Sequence, residues 1–319
     1  MNNFYNSYFK VDTEKVVQNF YKVKEYIGPD TEIIPVIKGN CYGYGLVPMA
    51  KLFEERCHVS LIANAAMYEA VQLRQGGVKC DILIIGGIPQ HLLHGAIEYD
   101  LQVPLFEAET AKRLNSLSAS AGKKTKVHIK LETGMNRLGV RPGEDLSRLL
   151  ELVKSLENLE VVGAYTHFAT STADYNDPFV LEQFARFKEG VAQIEDAGIT
   201  LTYKHCCNSA AIAWFREAYG THVRSCSSIL GHMAMEDGRE PIGLEEPLEI
   251  GAYITNIHSV SPGETIGYSR FFKVEKPMKV ATLSIGFADG FYLKWMRGGG
   301  PVLISGVKTR FLGCCIDQS

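Results

Sequence analysis

No stretch of this sequence is long and apolar enough to span a membrane, and none is a basic tail. The longest apolar runs, such as residues 82–88, fall far short of the roughly 18 residues that a membrane-spanning helix needs. The N-terminus lacks the basic and apolar segments of a secretory signal peptide. Charged residues are dispersed and the formal net charge is −3, which argues against nucleic acid or an anionic membrane as partner. We therefore expect a cytoplasmic protein with no membrane segment and no nucleic-acid partner.

The cysteines lack the spacing of a metal site or a disulfide scaffold. They lie at positions 41, 57, 80, 206, 207, 226, 314 and 315, and no pair is separated by two residues. A zinc site would need Cys or His at short fixed offsets, and disulfide scaffolds are small and rich in loops. We therefore predict no metal site and reduced cysteines, some of them small core residues.

What the sequence does contain is an alternation of short β-branched runs with longer amphipathic segments, from about residue 10 to 240. Predicted strands are 32–37, 58–63, 81–85, 126–132, 159–166 and 200–205, and predicted helices are 13–27, 107–119, 145–156 and 181–197. Such alternation implies a parallel sheet. The length suits an α/β fold of the (β/α)8 TIM-barrel type. A doubly wound open sheet is the alternative, but no GxGxxG turn follows the first strand.

The pattern changes after Pro241 to short strands separated by turn signals, with no long helical period. We predict a barrel domain over residues 1–240, whose first ten or so residues are free to pack on the second domain. We predict a smaller, mostly β domain over residues 241–319. Because the sequence stops directly after a predicted strand, we expect this second domain to be incomplete.

The first chemical signal lies around Lys38. Residues 35–45 read PVIKGNCYGYG, so an apolar strand ends at Ile37, a lysine lies at its carboxyl edge, and a turn with three glycines follows. In a parallel barrel, chemistry takes place at the carboxyl ends of the strands. A lysine there, in a partly apolar surrounding, loses its ammonium form more easily and can act as a Schiff-base nucleophile. From spacing alone, a surface lysine at the start of a loop is the simpler interpretation.

Residues 38–45 resemble the lysine motif of alanine racemases, KxNAYGHG, with Cys41 and Tyr44 replacing Ala and His. Further blocks match in the same order: LETGMNRLGV at 131–140, THFAT at 166–170, NSAA at 208–211, IGYSRFF at 266–272 with IGFADG at 285–290, and CIDQ at 315–318. One block is a modest signal, but the ordered set covers essentially the whole chain. The resemblance implies a pyridoxal-phosphate (PLP) dependent racemase that interconverts L- and D-alanine, supplying D-alanine for peptidoglycan.

The resemblance also implies a role for each matching residue of the barrel domain. Lys38 would carry PLP and act as an acid/base group, Arg224 would face the pyridine nitrogen, His167 would hydrogen-bond this arginine, and Arg137 would orient the substrate carboxylate. The phosphate would be bound by Tyr42, Asn208, Ser209 and the amides of Cys226 and Ser227. Lys130 aligns with a lysine that is carbamylated in some family members. Since Cys226 replaces a family glycine, its amide can serve only if Cys226 adopts the backbone angles that glycine tolerated.

Racemisation removes a proton from one face of the α-carbon and returns it on the other, which favours a second acid/base group. Tyr268 matches the family's second base, which reaches the active site of a partner subunit. The resemblance therefore implies a homodimer with shared active sites. Ile316 and Asp317 replace the family's Met-Asp pair, and the Ile316 amide would bind the substrate carboxylate.

Other interpretations remain open at this stage. A serine racemase of the same architecture is one, because the family residue that sets side-chain size lies beyond Ser319. A basic-amino-acid decarboxylase would carry a glycine-rich phosphate loop late in its barrel, and a non-catalytic PLP-binding or homeostasis protein would stop after the barrel. From the residues alone, Tyr268 also suits a core aromatic, Arg224 a surface arginine and His167 a hydrogen-bonded core histidine.

Overall fold

The computed structural model describes residues 5–173, 176–233 and 235–319. The chain divides into two units, and we number strands and helices along the chain. The larger unit is Asp12–Pro247, and the smaller unit combines the described residues up to Val11 with Leu248–Ser319. Within the described ranges, every helix is too short or too polar to cross a lipid bilayer.

The larger unit is a closed barrel of parallel strands. Its strands are β2 (Glu32–Pro35), β3 (Leu61–Asn64), β4 (Asp81–Ile84), β5 (Val103–Leu105), β6 (Thr125–Lys130), β7 (Leu159–Tyr165), β8 (Tyr203–His205) and β9 (His222–Ser225), after β1 (Ser7–Val11) of the smaller unit. Each barrel strand pairs or bridges with the next, and the N–H groups of Thr221 and Arg224 donate to the carbonyls of Lys204 and Cys207 between β8 and β9. Parallel pairing of β9 with β2 closes the ring. The predicted barrel is confirmed.

Helices follow the strands and cover the barrel. They are α1 (Thr13–Ile27), α2 (Leu46–Arg56), α3 (Met67–Gln75), α4 (Leu93–Glu98), α5 (Ala108–Ser120), α6 (Glu144–Lys154), α7 (Pro178–Asp196) and α8 (Ser209–Ile212). The boundaries of α1 are those predicted, because the Asp12 carboxylate accepts hydrogen bonds from the N–H groups of Glu14 and Lys15 in the first turn of the helix. Its buried residues Val16, Phe20, Val23 and Ile27 recur every three or four positions and form one apolar face.

Two barrel strands were not predicted, β5 and β9. Each has only three or four residues, and Pro104, His222 and Arg224 interrupt the apolar pattern by which a buried strand is recognised. The predicted strand 58–63 begins instead at Leu61, since His58 has a left-handed backbone with a φ of 54°.

The smaller unit consists of antiparallel strand pairs. Its further elements are β10 (Leu248–Ala252), β11 (Ile254–Val260), β12 (Thr265–Ile266), β13 (Phe272–Lys273), β14 (Met278–Leu283), α9 (Leu293–Arg297), β15 (Pro301–Ile304) and β16 (Val307–Arg310). The pairs are β1–β10, β11–β14, β12–β13 and β15–β16. A small core forms around Leu283, Ile285, Met296 and Phe311. The mostly β character predicted for this region is confirmed.

The barrel interior also contains histidines that the fold keeps neutral. His128 and His205 are fully buried, and His222 is mostly buried. Burial is the first cause that lowers the pKa of His128 to about 3, that of His222 to about 4, and that of His205 well below its ordinary value. In this interior, the free-energy cost of desolvating a protonated imidazole exceeds the stabilisation that neighbouring groups give to the charged form.

We therefore predict that acid destabilises the barrel below about pH 6.5, where unfolded histidines bind protons that the folded ones do not. Each such histidine lowers the free energy of unfolding by at most about 1.4 kcal/mol per pH unit. Urea unfolding at several pH values measures this slope. His222→Gln should flatten it, whereas His91→Gln, at an exposed histidine, should not change it. Equal slopes for the parent protein and His222→Gln would contradict the assignment.

Candidate active site

Lys38 lies where the first barrel strand leaves the barrel. The Ile37 N–H still donates to the Ala63 carbonyl, at 2.8 Å, so strand pairing holds up to the residue before the lysine. Residues 39–42 then have φ values between 52° and 61° and form a left-handed turn. Such a backbone costs roughly 1–2 kcal/mol for each residue other than glycine. The Lys38 side chain is exposed at this point.

Two side chains hold the left-handed turn in place. The Asn40 carboxamide oxygen accepts from the Leu46 N–H at 2.9 Å, and the Asn40 N–H donates to the Glu69 carboxylate at 2.8 Å. The other Glu69 oxygen accepts from the Asn64 side chain at 3.0 Å, and Glu69 is only 3% exposed. Sequence reasoning did not single out Glu69. The signal that could have identified Glu69 was the presence of an acidic residue on the buried face of α3.

Arg224 extends from β9 into the barrel and is only 3% exposed, which excludes a surface role. Its guanidinium donates to the backbone carbonyls of His205 (2.8 Å), Thr166 (2.7 Å) and Cys206 (3.0 Å). It also contacts Nδ1 of His205 at 2.9 Å and Nδ1 of His167 at 3.3 Å. Because a guanidinium can only donate, both rings must accept at Nδ1 and carry their proton on Nε2. The predicted pairing of His167 with Arg224 is present.

Positive charges concentrate around His167. Burial, followed by the charges of Arg224, Lys130, Arg137 and Lys38, lowers the pKa of His167 to about 2. These side chains therefore share one region at the carboxyl end of the barrel. Such a region attracts anions and keeps His167 neutral.

Lys130, the last residue of β6, is buried in this region. Its ammonium lies 4.3 Å from the centroid of the Tyr165 ring. Burial, followed by the charges of Arg224 and Arg137, lowers the pKa of Lys130 to about 7. The Lys130 amine is therefore partly neutral near pH 7.

Hydrogen-bond donors lie together on the Lys38 side of the barrel. The Lys38 nitrogen is 5.9 Å from the centroid of the Tyr42 ring. The Tyr42 hydroxyl lies beside the Cys226 thiol, and the Cys226 N–H donates to the Ser209 hydroxyl at 3.1 Å. Ser227 follows in the same turn. Lys38, Tyr42, Ser209 and Cys226 therefore form one contiguous patch.

Asn208 has a different place from these donors. Its side chain caps helix α8, accepting from the Ala211 N–H at 3.0 Å, and accepts from the Ser171 hydroxyl at 3.0 Å. An N-cap of this kind fixes the start of the helix. Asn208 therefore positions Ser209 at the patch.

The two cysteines of the site are buried thiols. Burial raises the pKa of Cys41 to about 12 and also raises that of Cys226. At neutral pH both are protonated and weakly nucleophilic. Cys226 is not among the described residues with a left-handed backbone, so no glycine-specific conformation is needed there.

The remaining candidates belong to the smaller unit. Tyr268 is 74% exposed on a short 3-10 turn, so the core-aromatic interpretation is wrong. Ile316 and Asp317 are also exposed. The Ala288 N–H donates to the Ile316 carbonyl at 2.9 Å. A Cβ on Gly286 would lie 2.4 Å from that carbonyl oxygen, so this close approach requires glycine.

Comparison with known proteins gives the family. Residues 11–233 match the family model for the alanine racemase N-terminal domain, and residues 248–319 match that for the C-terminal domain. An alanine racemase of Desulforamulus reducens is 34% identical over 312 residues, which cover 97% of this chain and 83% of that protein.

Solved structures agree with this result. An alanine racemase of Clostridium difficile 630 superposes with a TM-score of 0.93 at 29% identity, over 99% of this chain and 82% of that one. The Bacillus anthracis alanine racemase with bound L-Ala-P superposes with a TM-score of 0.91 at 29% identity, over 100% of this chain and 82% of that one. The chain belongs to the alanine racemase family.

Proposed function

We propose that this protein is an alanine racemase that binds PLP covalently at Lys38 and acts as a homodimer. The observation that carries the proposal is the shared region of Lys38, His167 and the buried Arg224 at the carboxyl end of the barrel. An amine, a fixed cation and a patch of neutral donors are the groups that such a cofactor needs. The family is PLP-dependent, and its members named above are alanine racemases.

The donor set of the barrel fits PLP. The hydroxyls of Tyr42 and Ser209 and the amides of Cys226 and Ser227 are neutral donors, suited to a phosphate group. A phosphate there would accept from the Cys226 N–H in place of the Ser209 hydroxyl. Arg224 would face the ring nitrogen. When bound, PLP supplies a ring that withdraws electrons and stabilises negative charge at the substrate α-carbon.

Arg224 and His167 determine the electrostatics of this region. A guanidinium keeps its protons, so Arg224 offers a fixed positive charge and would leave the ring nitrogen unprotonated. His167 stays neutral because of burial and the neighbouring cations. The remaining positive groups, Arg137 foremost, would bind the carboxylate of the amino acid, for which a planar guanidinium is well shaped.

The proton transfers need two groups on opposite faces of the α-carbon. The freed Lys38 amine would hold the proton on one face. The hydroxyl of Tyr268, on an exposed turn, would hold it on the other face after reaching the site of a partner subunit. We propose that Ile316 and Asp317 reach the same site, where the Ile316 amide binds the substrate carboxylate.

We also propose that Lys130 is carbamylated. The neutral Lys130 amine adds to carbon dioxide, forming an N–C bond and releasing one proton to solvent. The product is an anion between Arg137 and Arg224, both of which disfavour the ammonium form of Lys130. Replacing a buried positive charge by a negative one there removes a repulsion and adds an attraction.

The first prediction about the proposed reaction concerns Lys38. Purified protein should show an absorbance band near the limit of the visible range. Reduction with borohydride should attach the cofactor irreversibly to the peptide that contains Lys38. Lys38→Ala should lose both signals and lower alanine racemisation by roughly 10²-fold or more, since it removes an acid/base group. Lys112→Ala, at an exposed lysine of α5, is the matched control and should behave as the parent. A label on another peptide would refute the assignment.

The second prediction concerns Tyr268. Tyr268→Phe should lower kcat by roughly 10²-fold or more in both directions, because a phenyl ring cannot exchange a proton. Proton exchange at the α-carbon, followed in deuterated water, should become confined to the enantiomer whose face Lys38 serves. Tyr292→Phe alters a tyrosine of the same unit that is 78% exposed and should leave racemisation unchanged. Racemisation by Tyr268→Phe at the parent rate would rule out the two-base mechanism.

The third prediction concerns Lys130. With a pKa of about 7, its amine is mostly neutral above that pH and mostly protonated below it. Protein in ¹³C-bicarbonate should therefore show a carbamate carbon signal that grows above pH 7 and disappears in acid. Lys130→Met should abolish the signal. Lys126→Met should retain it, because hydrogen bonding to Asp81 raises the pKa of Lys126. A signal that persists in Lys130→Met would disprove the proposal.

A further inference from the structure

A line of polar side chains crosses the barrel interior behind Arg224. Nε2 of His205 lies 3.3 Å from Nδ1 of His128, and Nε2 of His128 lies 2.7 Å from the Gln102 carboxamide oxygen. The Gln102 side-chain nitrogen donates to the Asp81 carboxylate at 2.6 Å. We call these five residues, Arg224, His205, His128, Gln102 and Asp81, the interior relay.

The interior relay runs from one end of the strands to the other. His205 is the last residue of β8, whereas Asp81 is the first residue of β4. His128 and His205 have no exposed surface and Gln102 has 3%. The Asp81 side chain is 34% exposed and forms an ion pair with Lys126 at 3.1 Å. The relay therefore begins at the candidate active site and ends at solvent.

The chemistry of the two ends gives every hydrogen bond in the relay the same direction. A carboxylate only accepts, so Gln102 must turn its nitrogen to Asp81 and its oxygen to His128. His128 must then donate from Nε2 and accept at Nδ1, and His205 must donate from Nε2. This leaves Nδ1 of His205 as an acceptor, which the guanidinium of Arg224 requires.

We propose that Asp81 is a positioning residue that acts from the end opposite Arg224: it holds His128 and His205 in the tautomers that the guanidinium of Arg224 requires, and removing it leaves Arg224 alone to hold them. Without the carboxylate, Gln102 can reverse its side chain and present its nitrogen to His128. Both imidazoles would then reverse, and His205 would point an N–H at the N–H of Arg224. The consequence for catalysis rests on the proposed function, but the consequence for the tautomers does not.

Among the contacts described, Arg224 is the only charged group that contacts the histidines of the interior relay. Both rings are neutral, and burial keeps them so. Neutral imidazoles have two tautomers of similar energy, so the choice between them depends on the hydrogen bonds at both nitrogens. Asp81 is the group that makes this choice at the far end.

The experiment uses Asp81→Asn, which keeps the size and shape of the side chain. Because the new side chain can both donate and accept, Gln102 can bind it in either orientation. Long-range ¹H–¹⁵N spectra of histidine-labelled holoenzyme report which imidazole nitrogen carries the proton. In the parent protein, His128 and His205 should both be protonated on Nε2. Asp81→Asn should give a mixture at both rings and lower kcat on the order of ten-fold, with little change in KM.

Lys126→Met is the matched control, since it breaks the same exposed ion pair and leaves the carboxylate. It should retain the parent tautomers and the parent kcat. Gln102→Met provides a second variant for the case that Asp81→Asn folds poorly, and it should release the tautomers in the same way. Tautomers that stay on Nε2 in both Asp81→Asn and Gln102→Met would overturn the proposal, as would the same tautomer change in Lys126→Met. A protein that shows the expected tautomers but does not racemise alanine would refute the proposed function and leave the relay intact.

Discussion

The site depends on a buried guanidinium whose hydrogen-bond partners are neutral. Arg224 donates to three backbone carbonyls and contacts two imidazole nitrogens. Burying a charge is costly unless hydrogen bonds satisfy it. Because none of these partners is a carboxylate, the positive charge is solvated but not cancelled. After burial, it is the largest cause that lowers the pKa of Lys130 and of His167, and a positive charge of this kind favours the binding of anions.

A second constraint lies on the Lys38 side. The left-handed turn of residues 39–42 is strained, and strain of this kind persists only where the surroundings determine it. The buried Glu69 carboxylate and the Asn40 side chain supply those surroundings. Strain on one side and a buried charge on the other thus meet at one site. Such local departures from good packing are typical of functional sites.

Sequence reasoning succeeded where the signal is local. Helix α1 has its predicted ends because cap and apolar spacing are both visible in the sequence. Lys38 was assigned from the motif of residues 38–45, since its position after a strand alone favoured a surface lysine. β5 and β9 were missed because Pro104, His222 and Arg224 interrupt their apolar pattern. Glu69, Gln102 and His128 were also missed, since their partners are distant in sequence and appear only when the barrel closes. The role of Tyr268 came from family resemblance, because exposure and a turn alone do not indicate a base.

Two of the departures from the family pattern, Cys41 and Cys226, can be accommodated in physical terms. Cys41 has a left-handed backbone with a φ of 52°, but an alanine there would carry the same Cβ in the same conformation, so the strain is no greater. Cys226 needs no left-handed backbone, and the group that matters for anion binding there is its amide. Both thiols are buried and protonated. The substitutions therefore change the side chains that line the phosphate side of the site and leave its hydrogen-bond donors in place. A comparison of side chains alone overstates how far this site differs from that of the family.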